Sequence, residues 1–186
     1  MDRAVKPTLK ALDAVLSLVD RAKETSVPLK GSVWEVATSR VVGLERFEAS
    51  ARDLRRELEE WKDESENLER SLRELEDAVG KADEGEEEAD YDLLVDEFSE
   101  AMRSMERLEE KSTRVETKLR EASERSANIA ERAGAVPVLG SDIKEKFRTL
   151  SARLTKTAAD IAETNRKPSD VLDVYPERRP EPREEE

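Results

Sequence analysis

The side chains that could do chemistry in this chain are mostly carboxylates, because the sequence contains no cysteine and no histidine. A thiolate nucleophile, an imidazole base and a zinc site of the usual ligands are therefore excluded. The carboxylates alternate with arginine and lysine at spacings of three and four residues, as in Glu48–Arg52 and Glu116–Arg120. This spacing is typical of ion pairs on the surface of a helix. We expect no catalytic residue, no cofactor and no metal site.

A run of acidic residues lies near the middle of the chain. Residues 80–97 carry a net charge of −8, out of −13 for the whole chain. The run lacks the ligand spacing of a calcium loop, and nucleic-acid partners are not expected because they are bound through lysine and arginine. We interpret the run as an acidic tip that could meet a basic partner. Its candidate residues are Asp83, Glu84, Glu86, Glu87, Glu88 and Asp90.

Two heptad runs flank this tip and would position it. Apolar residues recur with heptad spacing in Leu44–Val79 and again in Leu94–Ala133, and neither run contains a proline. Each run therefore predicts one long helix. Two such helices joined by a short polar segment are expected to pair as an antiparallel hairpin. A turn near residue 85 would place Leu58 opposite Ser112.

Two shorter amphipathic helices complete the expected architecture, one after Pro7 and one after Ser141. We predict an all-α fold, a four-helix bundle in which two long central helices form an extended antiparallel coiled-coil hairpin. The predicted helices span about 7–24, 32–79, 91–133 and 141–165, within one domain of residues 1–165. The second helix is expected to pass through Gly43 and to end at Gly80. Residues 166–186 contain four of the seven prolines and are predicted to form a disordered tail.

The composition separates this chain from most compact enzymes. Charged residues make up 42% of it and aromatic residues only 4%, which suits long exposed helices. No apolar run approaches the roughly 20 residues that span a bilayer, and the first residues lead into an amphipathic segment instead of a signal-peptide core. We therefore expect a cytoplasmic protein without enzymatic activity.

The stretch Leu12–Trp61 also carries a family resemblance. It consists of LDAVLSLVDRA, a linker containing VPLKGS, and VWEVATSRVVGLERFEASARDLRRELEEW. This pattern resembles the N-terminal four-helix-bundle domain of the mixed-lineage kinase domain-like proteins of fungi and plants, which is structurally akin to the N-terminal bundle of the Cbl adaptors. The segment SDIKEKFRTLSARLTKTAADIAE resembles the last helix of that domain. The resemblance implies a signalling or adaptor bundle, and in some relatives a membrane-perturbing effector of cell death.

Three functions fit these patterns. The favoured one is an adaptor or scaffold in intracellular signalling that binds a protein partner through the distal seam of the hairpin. Its candidate partner-binding residues are Trp61, Leu68, Leu72, Leu75, Phe98 and Met105. The second is a peripheral membrane effector that contacts anionic lipid through basic residues. Its candidate residues are Lys6, Lys10, Lys144, Lys146 and Arg148. The third is a structural coiled coil that self-associates through the hairpin.

Overall fold

The computed structural model describes residues 2–26, 43–83, 91–134 and 140–172. Within these ranges the chain forms four α-helices and no β-strand: α1 (Asp2–Ser26), α2 (Leu44–Asp83), α3 (Tyr91–Gly134) and α4 (Gly140–Leu172). The helices pack against one another, which confirms the predicted all-α bundle. With 40 and 44 residues, α2 and α3 are each roughly 60 to 66 Å long at 1.5 Å per residue.

The four helices form a ring in which each helix has two main neighbours. Helix α3 packs most extensively against α4 and α2, and α1 closes the ring by contacting both α2 and α4. Ion pairs show the direction of α1, because Asp20 pairs with Arg52 whereas Asp13 pairs with Arg55. Helix α1 therefore runs antiparallel to α2.

The core of the bundle is a cluster of apolar side chains from all four helices. Phe47 of α2 and Phe147 of α4 meet edge to face, with ring centroids 5.0 Å apart and planes inclined at 68°, a geometry that aromatic pairs prefer. The hydroxyls of Thr8 and Thr157 lie 2.7 Å apart inside the core and join α1 to α4. The largest fully buried side chains are Trp61, Phe47, Phe147, Leu12, Leu54, Leu58, Leu68, Leu108, Leu119, Leu150, Leu154 and Ile161.

The limits of α2 differ from the prediction at both of its glycines. Gly43 has a φ of +69°, and the helix begins after it, with a hydrogen bond of 3.1 Å from the Phe47 amide to the Gly43 carbonyl. A residue with positive φ cannot continue a right-handed helix, and glycine adopts that conformation without a Cβ penalty. At the other end, α2 passes through Gly80 and continues to Asp83. The predicted helical segment 32–42 lies outside the described residues.

The two outer helices are longer than the sequence predicted. Helix α1 begins at Asp2, so Pro7 lies inside it, where the ring removes one N–H from the helical hydrogen-bond ladder. Helix α4 continues to Leu172, so residues 166–172 are helical although they were predicted to belong to a disordered tail. The remainder of that predicted tail, residues 173–186, lies outside the described residues.

Candidate interaction surfaces

The register of the hairpin is set by a buried polar contact. The Trp61 indole donates a hydrogen bond from Nε1 to the hydroxyl of Ser112 at 2.6 Å, and both side chains are buried. The predicted register had Leu58 opposite Ser112, so the helices are shifted by about one turn, since Trp61 comes three residues later. An indole N–H that is removed from water needs an acceptor, and this shift provides one.

Ion pairs accompany the seam between α2 and α3. The Lys118 ammonium lies 2.6 Å from Asp53 and 2.7 Å from Glu57, and Lys111 lies 3.5 Å from Glu60. The hydrogen bond from Lys118 lowers the pKa of the Asp53 carboxyl below its ordinary value. Burial by itself would lower the pKa of Lys118, but its hydrogen bonds to the two carboxylates outweigh burial and raise it. The contact therefore favours the charged forms of both Asp53 and Lys118, as expected of an ion pair that contributes to the fold.

The six residues predicted to bind a partner fall into two groups. Three of them are at most 3% exposed and belong to the core of this chain: Trp61, Leu68 and Leu75. The other three are half-buried: Leu72, Phe98 and Met105. The heptad seams of two antiparallel helices pack against each other, so residues at the centre of the seam are buried between the helices. A partner can reach the half-buried group, whereas the core group is covered by this chain itself.

Two exposed apolar residues at the start of α3 were not among the predicted candidates. Leu93 is 46% exposed and Val95 is 51% exposed, and they are the large hydrophobic side chains that stand exposed in the described part of the chain. The signal in the sequence is the run Leu93-Leu94-Val95. Successive residues of a helix point about 100° apart, so three consecutive apolar residues cannot all face one seam.

These two residues lie on a part of the hairpin that extends beyond the outer helices. The Asp13–Arg55 ion pair places the first residue of α1 level with about residue 66 of α2. The hydrogen bonds between the hydroxyl of Ser123 and those of Ser151 and Thr155 place the end of α4 level with about residue 104 of α3. We call residues 69–83 of α2 and 91–104 of α3 the stalk. Along α2 and α3, the tip of the stalk lies beyond the N-terminal end of α1.

Most of the negative charge of the protein falls within the sequence of the stalk and of the segment 84–90 that joins its two helices. Residues 69–104 contain fourteen acidic and four basic residues, a net charge of −10 out of −13. Of the predicted acidic-tip residues, Asp83 ends α2. The others lie outside the described residues: Glu84, Glu86, Glu87, Glu88 and Asp90. Beside Val95, Asp96 is exposed and Glu97 is half-buried, so acidic side chains directly border the exposed apolar residues.

A basic groove lies between α1 and α4. Its cationic lining residues are Lys6 and Lys10 of α1 with Lys146 and Arg153 of α4, and the Arg153 guanidinium donates a hydrogen bond of 3.1 Å to the Pro7 carbonyl. Alanine, valine and leucine side chains and the acid Glu145 also line the groove. The structure thus brings together three of the five predicted lipid-facing residues. The two that do not line the groove are Lys144 and Arg148.

The acidic side chains of the described helices do not assemble into a metal site. Within residues 2–26, 43–83, 91–134 and 140–172, no group of three or more of them is placed to hold a metal ion. None of the described helices combines the length and the apolarity that crossing a membrane requires.

Comparison with known proteins leaves the family of this chain undetermined. No protein-family model, no curated protein and no solved structure matches it. The likeness to the bundle of mixed-lineage kinase domain-like proteins therefore stays a prediction that rests on the residues quoted for it above.

Proposed function

We propose that this protein is a non-enzymatic helical adaptor or scaffold in intracellular signalling, and that it binds a protein partner through the stalk. The observation that carries the proposal is the exposure of Leu93 and Val95, at 46% and 51%, on a stalk otherwise rich in charge. The two side chains point about 200° apart around α3, and a large apolar side chain exposed on a charged surface is a candidate anchor for a protein partner. The half-buried Phe98 lies one turn from Val95 and adds apolar area beside it, and the half-buried Leu72 lies on the same stalk.

The bundle supports this proposal as a rigid base for the stalk. Buried side-chain hydrogen bonds join α1 to α4 through Thr8–Thr157 and α2 to α3 through Trp61–Ser112. Both long helices run without interruption from this base into the stalk. A site on continuous helices is held in one orientation, which is what a scaffold that positions a partner requires.

The experiment compares the partners of two variants in the cells that produce the protein. Proximity labelling of the Leu93→Ser/Val95→Ser variant is expected to lose partners that the unaltered chain retains. The matched control is Ala127→Ser/Ala152→Ser, which changes exposed apolar residues on the bundle and is expected to retain those partners. Circular dichroism checks that all three chains are equally helical. An identical partner set for all three overturns the proposal.

The groove between α1 and α4 favours a second function, peripheral binding to anionic membranes. Four cationic side chains surround an apolar floor there, and each basic residue near an anionic bilayer contributes about 1 kcal/mol. Flotation with phosphatidylserine vesicles at low salt tests this function. Co-flotation that is lost in Lys10→Glu/Lys146→Glu supports it, whereas no co-flotation of the unaltered protein removes it.

Self-association through the hairpin is the third function that fits this chain. Sedimentation velocity over a range of micromolar concentrations tests it. A single monomeric species throughout that range removes the structural oligomer, and the adaptor proposal is unaffected by that result.

A further inference from the structure

We propose that the C-terminal segment of this chain, residues 173–186, folds back along α4 and lies in the basic groove between α1 and α4. The inference goes beyond the adaptor function and does not depend on it, because the groove and the stalk are different parts of the molecule. It assigns an occupant to the groove, which an anionic membrane would have to displace.

The receiving surface is a row of charges on the side of α4 that faces α1. Lys146 and Arg153 line the groove, and Asp160 follows Arg153 by one heptad, so all three lie on the same side of the helix. Glu163 lies one turn beyond Asp160 and is exposed. From the C-terminal end of α4 toward its N-terminal end, this side of the helix is therefore first acidic and then basic.

The basic end of the row retains a net positive charge. Lys10 lines the α1 side of the groove, and within the described part of the chain neither Lys10 nor Arg153 forms an ion pair with a carboxylate. One N–H group of Arg153 donates to the Pro7 carbonyl, and a guanidinium has five such donors. Glu145 is the acid among the lining residues, against four cations. An anionic segment can therefore form charge-assisted hydrogen bonds here.

The charges of the C-terminal segment follow the order that this row requires. Two arginines at positions 178 and 179 come first and three glutamates at positions 184–186 come last, while Glu181 and Arg183 between them cancel. A segment that returns from the end of α4 runs antiparallel to it and passes the acidic end of the row before the basic end. Its arginines then meet the acids of α4, and its glutamates meet the cations of the groove.

The length of the segment also fits the row. Prolines at positions 176, 180 and 182 favour an extended chain of about 3.1 Å per residue. If the chain turns directly after Leu172, where α4 ends, the arginines lie about 19–22 Å back along α4 and the glutamates about 37–43 Å back. Asp160 and Lys146 lie about 18 and 39 Å back, so opposite charges are level with each other.

The match does not depend on a tight turn. If the turn takes three residues, the arginines lie about 9–12 Å back and the glutamates about 28–34 Å back. Glu163 and Arg153 lie about 14 and 29 Å back, so opposite charges are again level. Ion pairs at a surface contribute little individually, but the short connection to α4 holds the segment at a high effective concentration beside the groove.

The test measures the distance from the segment to the groove in the full chain by double electron–electron resonance. Because the sequence contains no cysteine, Ser17→Cys and Pro182→Cys supply the two sites for spin labels. Ser17 is exposed and lies level with about residue 146 of α4. At low salt we expect a distance below about 25 Å, and a segment that extends away from α4 would give a broad distribution centred beyond about 40 Å. Added salt is expected to move the distribution toward the longer distance.

Charge reversal at the groove is compared with the same change elsewhere. Lys10→Glu/Arg153→Glu is expected to shift the distance beyond about 40 Å. Arg73→Glu/Arg103→Glu changes the net charge equally at exposed positions of the stalk and is expected to keep the short distance. Circular dichroism checks that the variants are equally helical.

Reversal within the segment makes the test independent of any effect on the bundle. Glu184→Lys/Glu185→Lys is expected to release the segment by itself. Combined with Lys10→Glu/Arg153→Glu, it is expected to restore the short distance, because opposite charges again face each other.

The inference is overturned by a distance beyond about 40 Å in the labelled chain without charge reversal. It is also overturned if the short distance persists in Lys10→Glu/Arg153→Glu, or if the stalk control releases the segment equally. Loss of the short distance on dilution with unlabelled chain would make the segment of a neighbouring copy the occupant. None of these results bears on the adaptor function, which is measured through Leu93 and Val95.

Discussion

Trp61 of α2 is hydrogen-bonded through its indole Nε1 to the hydroxyl of Ser112 of α3, at 2.6 Å inside the buried seam of the hairpin. Ser112 is 0% exposed and Trp61 is 2% exposed, so water cannot replace either partner. The small hydroxyl leaves room for the large ring and satisfies its N–H at the same time. This pair therefore specifies one register among those that the leucine repeats alone would permit.

Replacing Ser112 by alanine is expected to destabilise the protein although it removes a single oxygen atom. The Trp61 N–H would remain buried without an acceptor, and such a group costs about 1–3 kcal/mol. Urea unfolding followed by circular dichroism measures the loss. Ser17→Ala, at an exposed position of α1, is the control and is expected to change stability little. A Ser112→Ala protein as stable as the unaltered chain would mean that the hydrogen bond does not contribute.

The buried threonine pair between α1 and α4 predicts strong non-additivity. Thr8→Val leaves the buried hydroxyl of Thr157 without the partner that lies 2.7 Å away, with an expected cost of about 1–3 kcal/mol, and Thr157→Val removes the same contact from the other side. The double variant replaces both hydroxyls by methyl groups of similar shape, so it should be more stable than the sum of the single losses implies. A double-mutant cycle on urea unfolding measures this coupling. Additive losses would show that the two hydroxyls act independently.

The helical architecture was predictable because burial in a bundle follows heptad spacing. Leu54, Leu58 and Leu68 recur at core positions and are at most 2% exposed. The register was not predictable from this spacing, because a shift of three or four residues exchanges the a and d positions and still brings apolar residues together. The polar pair of Trp61 and Ser112 separates these registers, and the pairing becomes visible only when both helices are placed.

The two glycines near the ends of α2 show that the sequence did not predict where this helix begins and ends. Gly43 was expected inside the helix and Gly80 at its end, yet Gly43 precedes the helix with φ +69° and α2 passes through Gly80. Glycine is compatible with either role, so its identity alone cannot distinguish them.

The stalk surface could have been found in part from the sequence. The run Leu93-Leu94-Val95 contains three consecutive apolar residues. They cannot all lie on one face of a helix, so at least one of them is expected at the surface. What the sequence could not supply is the position at which α4 ends, because the helix runs past Asn165 to Leu172. That end decides how far α4 accompanies α3 along the hairpin.

The ion pair of Asp53 with Lys118 predicts a loss of stability in acid. The pKa of Asp53 is lowered in the folded protein by the hydrogen bond from Lys118. Its contribution is therefore present above the unfolded-state value of about 3.9 and lost as the pH falls through the lower folded value. Asp53→Asn should destabilise the protein at pH 7, and the difference from the unaltered chain should shrink between pH 4 and pH 2. Urea midpoints at pH 7, 4 and 2 measure it.

The same experiment in a Lys118→Gln background supplies the control. Without the lysine, most of the pH-dependent effect of the Asp53→Asn substitution should vanish. The pKa of Lys118 is raised by the two carboxylates, so its own contribution is present below the unfolded-state value of about 10.4 and is lost as the pH rises through the higher folded value. A difference at pH 2 equal to that at pH 7 would exclude the charge of Asp53 as its source.

Alanine substitutions at Gly43 and Gly80 are expected to have opposite signs. An added Cβ meets no atom within 4 Å at either position, so steric overlap does not distinguish them. Gly43 has a φ of +69°, where an L-residue with a Cβ costs about 1–2 kcal/mol, and Gly43→Ala should lower the free energy of unfolding accordingly. Gly80 is helical, and Gly80→Ala should raise that free energy by up to about 1 kcal/mol. Thermal and urea unfolding of the two variants measure the signs, and a stabilising Gly43→Ala would contradict the left-handed conformation at the start of α2.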